Sequence, residues 1–375
     1  MYTKTIGILG GGQLGKMLLQ KAADYNLKTI VMDGTHDAPC RHLCTHFMQG
    51  SLTDYETVLN FGEQCDVITI EIENVNTEAL IELEKMGKVI YPQPHLIKLI
   101  QDKGLQKNFY RNNNIATAPF YLVEKKMEIN SPYPFIQKLR TGGYDGRGVQ
   151  KIDSPTDLDK NGFEEPSVIE ELIDFEKEIA VIAVRNHDGE IAVYDAVEMH
   201  FDQRANLLDY LFAPASLTLN QAAEAKNLAK QVVEHLGIIG ILAVEMFVTK
   251  KGEILVNEIA PRPHNSGHHS IEANASSQYD QLLRILMHQP LGSTEMIQHA
   301  VMFNLLGEQG YQGQAQYKGM EQLMSQKNCH VHLYGKSTTK PFRKMGHVTV
   351  TGNNVEQLIV LVNTLKKLVH VIAAQ

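Results

Sequence analysis

The chain has no tryptophan, four cysteines in 375 residues, and no excess of positive charge. It also has no run of about 18 apolar residues, which excludes a helical membrane span. Lysine and arginine number 35 against 43 aspartates and glutamates, for a net charge of −8 and a pI near 6.1. A general nucleic-acid binder would need a basic excess to displace counterions, so that class is disfavoured. An anionic substrate must instead be held by local cations. Cys40, Cys44, Cys65 and Cys329 are too few for a disulfide scaffold of this length. His36, Cys40, His42, Cys44 and His46 crowd into one short stretch, but their spacing fits no standard zinc pattern. A reduced, cytoplasmic protein is expected. The opening MYTKTIGILGGG enters a strand pattern at once and does not read as a signal peptide.

What is present is an ordinary globular balance, 43% apolar and 21% charged, in a length suited to two or three domains. The first hundred residues alternate strand and helix, predicting a parallel sheet in an α/β fold. Strands are expected over Thr5 to Gly10, Lys28 to Asp33, Asp66 to Ile72 and Val89 to Tyr91. Helices are expected over Gln13 to Tyr25 and His95 to Asn113. The middle holds short strands at Pro134 to Leu139, Val168 to Glu171, Glu178 to Arg185 and Ile191 to Val197. A helix over Gln221 to Leu236 follows, then strands Ile241 to Val248 and Glu253 to Ala260. The last part, from about Ala300, carries short strands and a closing helix marked by Leu358, Ile359, Val362, Leu365 and Val369.

Gly10-Gly11-Gly12-Gln13-Leu14-Gly15 matches G-x-G-x-x-G between a strand and a helix, with Asp33 ending the next strand. Taken alone, this is a dinucleotide-binding signature. Two other readings stand beside it. One is a glycine turn that only packs helix on strand. The other is a helix N-terminus that holds part of a phosphorylated substrate.

The rest of the chain describes a different nucleotide site. A two-residue turn at Lys251-Gly252 would set residue 250 opposite 253 and so Glu245 opposite Glu258. Opposed side chains share a face with β-carbons about 5 Å apart, so two carboxylates there need a cation between them. Oxygen-only ligands favour magnesium. Thr141 to Gly148, TGGYDGRG, has four glycines and suits a hairpin whose amides close over phosphates. It follows a strand that delivers Lys138. Glu170-Glu171-Leu172-Ile173 lies at a strand end and suits a hinge for an adenine edge, and Glu178 is a candidate acceptor for ribose hydroxyls.

In this order Lys103, Lys138, the glycine loop, Glu170 to Ile173, Glu178, Glu245 and Glu258 resemble the ATP-grasp superfamily. GGGQLG near the start, QDK at 101–103, GGYDGRG at 142–148 and NEIAPRPHNSGHH at 257–269 resemble the N5-carboxyaminoimidazole ribonucleotide synthetase family over essentially the whole chain. The resemblance implies a Rossmann-like domain over 1–98, an ATP-grasp domain over 99–299 with a lid at about 115–182, and a C-terminal domain over 300–375. It also implies ATP-driven carboxylation of 5-aminoimidazole ribonucleotide by bicarbonate through carboxyphosphate, with magnesium, in a cytoplasmic homodimer.

The implied roles are these. ATP is met by Lys103, Lys138, Gly143, Tyr144, Asp145, Gly146, Arg147, Gly148, Val149, Glu170, Glu171, Leu172, Ile173, Glu178, His200, Asn257 and Glu258. Glu245 and Glu258 hold the metal. Arg262, Asp145, Tyr144, His264 and Lys336 act in catalysis. The ribonucleotide is met by Gln13, Leu14, Arg262, His264, Asn265, Ser266, His268, Lys336, Arg343 and Lys344. Two positions depart from the family pattern. Ala260 stands where many ATP-grasp enzymes have an asparagine, a gap Asn265 could fill. The stretch Glu198-Met199-His200-Phe201 displaces the usual histidine. The rival readings are a sister ATP-grasp ligase of formate-dependent transformylase or carboxylase type, an NAD-dependent oxidoreductase, and a non-catalytic nucleotide-binding subunit.

Overall fold

The alternation of apolar runs and helical stripes produces the parallel sheet expected of the first hundred residues. The computed structural model describes residues 3–143, 148–202 and 207–374. Strands β1 (Thr5–Leu9), β2 (Lys28–Asp33), β3 (His46–Gln49), β4 (Val67–Ile70) and β5 (Val89–Ile90) lie in the order β3-β2-β1-β4-β5, all parallel. The apolar pattern does not announce β3, an edge strand with no fully buried side chain. Helix α1 (Gln13–Asp24) buries Leu14, Met17, Leu18 and Ala22, and the chain leaves it through Asn26 at φ 50°. Asp54 and Asn76 cap α2 (Tyr55–Glu63) and α3 (Thr77–Lys85) with their side chains.

The single helix expected from His95 to Asn113 is two, α4 (Pro94–Gln101) and α5 (Lys103–Asn112). Asp102 breaks it: its backbone is extended and its carboxylate accepts from the amides of Gly104 (2.7 Å) and Leu105 (3.1 Å). The same carboxylate receives Arg140 in a fork, at 3.0 and 2.6 Å. Asp102→Ala is expected to cost about 1–2 kcal/mol, the loss of an N-cap, whereas Asp102→Asn keeps most of it. Urea unfolding of both variants checks this; equal loss in both would assign the stability to the Arg140 pair.

Four antiparallel strands follow in the order β6-β9-β7-β8: β6 (Phe120–Val123), β7 (Phe135–Leu139), β8 (Val149–Ile152) and β9 (Ser167–Glu171). The short helix α6 (Pro155–Asn161) separates β8 from β9.

The large sheet has nine strands. It includes β10 (Phe175–Arg185), β11 (Ile191–Val193), β12 (Val197–Asp202), β13 (Leu207–Ala213), β14 (Gly240–Thr249) and β15 (Ile254–Ala260). The run expected over Ile191 to Val197 is thus split between β11 and β12. Helix α7 (Leu219–Leu236) starts two residues before the expected Gln221, where Thr218 and Gln221 form a capping box, and stops at Gly237 with φ 62°. Its Ala225, Leu228, Ala229, Val232 and Val233 share a core with Ile179, Val181, Val244 and Met246. One face of the sheet is therefore closed by α7. Strands His299–Leu306, Lys344–Gly352 and Cys329–Leu333 continue the same sheet beyond β13, so the C-terminal segment is fused to it. Among the described residues no helix is long and apolar enough to cross a membrane.

Candidate active site

The hairpin β14–β15 opposes Glu245 and Glu258 as expected, but by another route. The turn is one residue longer: Thr249 N–H donates to Glu253 O at 2.9 Å, and Gly252 takes φ 86°. The ladder then runs Val248↔Ile254, Phe247↔Leu255 and Met246↔Val256, which alone would misalign the acids. A bulge that leaves Asn257 without an opposite number restores Glu245↔Glu258. It also aims Asn257 at the neighbouring sheet, where its Oδ1 accepts from Lys138 at 2.8 Å.

The two carboxylates are not equivalent. Lys103 bonds Glu258 Oε2 and holds that carboxyl far below the usual range. Burial, together with the charge on Glu258, pushes Glu245 up. His264 Nε2 lies 3.3 Å from Glu245 Oε1. Glu178 faces the same side of the sheet, since it and Ala180 alternate on β10 and Ala180 is opposite Glu245. Burial raises Glu178 to about 7.

Lys138 stands between sheets, 2.8 Å from Glu170 Oε2 as well as on Asn257. Glu170 is not an open acceptor: Lys107 takes its other oxygen at 2.8 Å. Burial opposes ionisation of Glu170, but Lys138 and Lys107 keep it below the usual range. Sequence reasoning missed Lys107, although its spacing of four from Lys103 on a helix was a usable signal. Beyond Glu170, Glu171 and Leu172 are exposed, and Phe175 stacks on Phe247 with centroids 4.7 Å apart. This gives the hinge an apolar edge fit for a flat base. In the glycine loop, Gly142 and Gly148 take φ 78° and 74°, and Val149 pairs with Lys138. Tyr144, Asp145, Gly146 and Arg147 lie outside the described residues.

His200 does not join this cluster, a correction to the expectation. On β12, Met199 is opposite Glu178 while Glu198 is opposite Ile179, so His200 shares Glu198's face, the α7 side. There it stacks on Tyr210 at 4.5 Å and lies 3.2 Å from Glu198.

A second group of residues lines the approach from the first domain. Arg262 Nε donates to Glu73 Oε2 at 2.8 Å, and Nη1 to Pro263 O. His264 Nδ1 lies 2.8 Å from Ser266 Oγ. Both side-chain atoms of Asn265 are buried without a protein partner among the described residues. His268 corrects a second expectation: it is 1% exposed, bonded to Tyr279 OH at 3.0 Å and stacked on His347, and burial keeps it neutral. It supports the loop rather than presenting a charge.

The glycine turn is closed on itself. Asp33 accepts from Gly11 N (2.8 Å) and Thr35 N (2.7 Å), and Cys40 N–H donates to Gly11 O at 3.0 Å. The acid that a dinucleotide ribose would need is thus committed to the turn. At the N-terminus of α1, which has no side-chain cap, Leu14 N–H donates to Glu71 Oε1 at 3.1 Å. Leu14 itself is in the core, so only its amide faces this place. Glu71, raised to about 7 by burial, was invisible in the sequence pattern. Lys336 reaches across from the C-terminal segment to Gln13 Oε1 (3.1 Å) and Lys344 O (2.7 Å). Ser337 bonds Asp37 at 2.6 Å, and Thr338 orients Arg343 through two 2.8 Å bonds. The basic segment therefore lies against the glycine turn.

Comparison with known proteins fits this geometry. Residues 3–101 match the ribonucleotide synthetase preATP-grasp domain, 108–279 the ATP-grasp domain, and 300–360 the phosphoribosylaminoimidazole carboxylase C-terminal domain. The chain is 37% identical over 371 residues to the N5-carboxyaminoimidazole ribonucleotide synthase of Staphylococcus aureus, covering 95% of each. It is 38% identical over 375 residues to the phosphoribosylaminoimidazole carboxylase of Candida albicans; 95% of the chain is covered, and it spans 65% of that longer protein. Among solved structures, N5-carboxyaminoimidazole ribonucleotide synthetase from Thermotoga maritima superposes with a TM-score of 0.91 at 40% identity, covering 99% of this chain and 100% of that one. The Aspergillus clavatus synthase in complex with ADP and 5-aminoimidazole ribonucleotide gives 0.89 at 31%, covering 98% of each.

Proposed function

Because the chain belongs to the N5-carboxyaminoimidazole ribonucleotide synthetase family of ATP-grasp ligases, we propose that it carboxylates 5-aminoimidazole ribonucleotide with ATP and bicarbonate, giving N5-carboxyaminoimidazole ribonucleotide, ADP and phosphate. The observation that carries this reading is the opposed, half-buried pair Glu245 and Glu258, with Lys103 on one carboxylate and His264 on the other. The donor set fits magnesium: two opposed carboxylates, one bonded by Lys103 and the other 3.3 Å from His264, with a buried carboxamide at Asn265 that has no protein partner among the described residues. When bound, magnesium would neutralise charge on the transferring phosphates.

The chain's own groups do the rest. Lys103 and Lys138 draw the phosphates to the carboxylate face, and residues 171–173 with Glu178 take the nucleoside end. Bicarbonate oxygen attacks the γ-phosphorus, the bond to ADP breaks, and carboxyphosphate results. The amine nitrogen of the ribonucleotide then attacks the carboxyl carbon, phosphate leaves, and the nitrogen gives up a proton. Arg262, fixed by Glu73, offers a planar fork to bicarbonate or its phosphate ester. The amides at the start of α1, with Lys336 and Arg343, suit the ribonucleotide phosphate. The glycine loop, Tyr144 and Asp145 included, would cover the unstable intermediate from water. Cytoplasmic location and a homodimer belong to the same proposal, as does the division at residues 98 and 299.

The test is ADP release in carbonate-free buffer. ADP should appear only when the ribonucleotide and added bicarbonate are both present, above a small background. Release that follows formate instead would assign the chain to the transformylase type.

A further inference from the structure

Helix α5 carries two lysines one turn apart, and each is tied to a different sheet. Lys103, its first residue, bonds Glu258 on β15. Lys107 lies on the same helix face and bonds Glu170 on β9 at 2.8 Å. It also donates to Thr117 Oγ1 at 2.6 Å, and that hydroxyl donates to Val256 O on β15, again at 2.6 Å. The second oxygen of Glu170 holds Lys138 on β7. One lysine therefore fixes the carboxylate that in turn aims Lys138, and bridges the small sheet to the metal-site hairpin. Lys107 is 3% exposed, against the rings of Tyr110 and Phe120. So enclosed an ammonium has no path of its own to a substrate and is tolerated only while paired.

We propose that Lys107 is a positioning residue for ATP: by locking Glu170 it directs Lys138 to the nucleotide phosphates and sets the spacing of the two sheets that enclose them. This rests on the ATP-binding reading above. The charged and titratable groups facing Lys107 are Glu170 from β9, Lys138 from β7, and Lys103 and Tyr110 from its own helix. Burial outweighs the pull of Glu170 and lowers the ammonium to about 8. Above that pH Lys107 becomes neutral, Glu170 keeps only Lys138, and Lys138 is drawn from the phosphates.

Calorimetric titration of ADP with magnesium, from about pH 6.5 to about pH 9.5, tests this on the intact protein, Lys107→Met and Lys107→Arg. Wild-type affinity should weaken above about pH 8. Lys107→Met should bind roughly tenfold more weakly at neutral pH, a lost charge-assisted contact, and lose that pH dependence. Lys107→Arg keeps its charge, so it should bind within about threefold of wild type and stay flat across the alkaline range. In turnover, Lys107→Met should raise the KM for ATP and leave that for the ribonucleotide within about twofold. Wild-type affinity in a folded Lys107→Met, or the same alkaline loss in Lys107→Arg, overturns the proposal. If Lys107→Met does not fold, the Lys107→Arg profile decides. Failure of the wild-type chain to bind ADP would instead sink the ATP reading and this inference with it.

Discussion

Glu258→Gln should leave the fold intact and lower ADP formation about 100- to 1,000-fold, the several kcal/mol that a positioned cation supplies to phosphoryl transfer. The side chain keeps its shape, so the β14–β15 hairpin and its bulge have no reason to move. What changes is charge. Glu258 is the partner that holds Lys103, and the negative charge on Glu258 helps to push Glu245 up. Without it, Lys103 is left to Glu245, and a single carboxylate would remain to hold magnesium. Higher magnesium should therefore recover part of the rate. Steady-state ADP release across a magnesium titration, with thermal unfolding as control, measures this. Near-normal activity at low magnesium would remove Glu258 from the metal site.

The carboxylate pair also shows how sequence reasoning succeeded and where it had to fail. The expected opposition of Glu245 and Glu258 is present, yet the turn that was to cause it is absent. A turn one residue longer and a bulge one residue wide cancel in register. Neither leaves a periodic trace, because a bulge is defined by pairing between strands and not by either strand alone. The elements read most safely were those with strong patterns, α1, α7 and β14. The edge strand β3 had none, since its side chains are half in solvent. The break between α4 and α5 was within reach. Asp102 before a lysine-glycine pair is a capping signal, which the apolar spacing across it masked.

Site residues divide the same way. Lys103, Lys138, Arg262 and His264 can be singled out from the sequence as candidates because their motifs are local. Glu71 and Glu73 cannot, because each matters only through a partner far away in sequence, the amide of Leu14 and Arg262; Lys107 has its four-residue spacing from Lys103 as a signal, but its partner Glu170 is equally distant. His200 went astray because proximity in sequence to a family position says nothing of which face of a strand is used; Phe201, one residue on, packs with the site side of β12. His268 sits in a binding motif, yet its ring is the end of a buried stack with His347 and His332.

Lys336→Met should raise the KM for the ribonucleotide about tenfold or more while changing that for ATP within about twofold. The chain is acidic overall, so a phosphate monoester must find its cations locally. Lys336 is carried to the glycine turn by its bonds to Gln13 and to the carbonyl of Lys344, which places it at the start of α1, where Gly12 supplies no side-chain cap and Glu71 accepts from the Leu14 amide. Loss of one charge-assisted contact of roughly 1.5–3 kcal/mol gives the stated factor. Methionine retains the length of the aliphatic stem but removes the ammonium, which also lies 5.6 Å from the centre of the Tyr334 ring. Arg343→Ala should act on the same constant in the same direction, because Thr338 points that guanidinium from the same segment. Both KM values measured on one preparation decide the matter. An equal rise for ATP, or none for the ribonucleotide, would leave the segment from Lys336 to Lys344 as scaffold and move the phosphate site elsewhere.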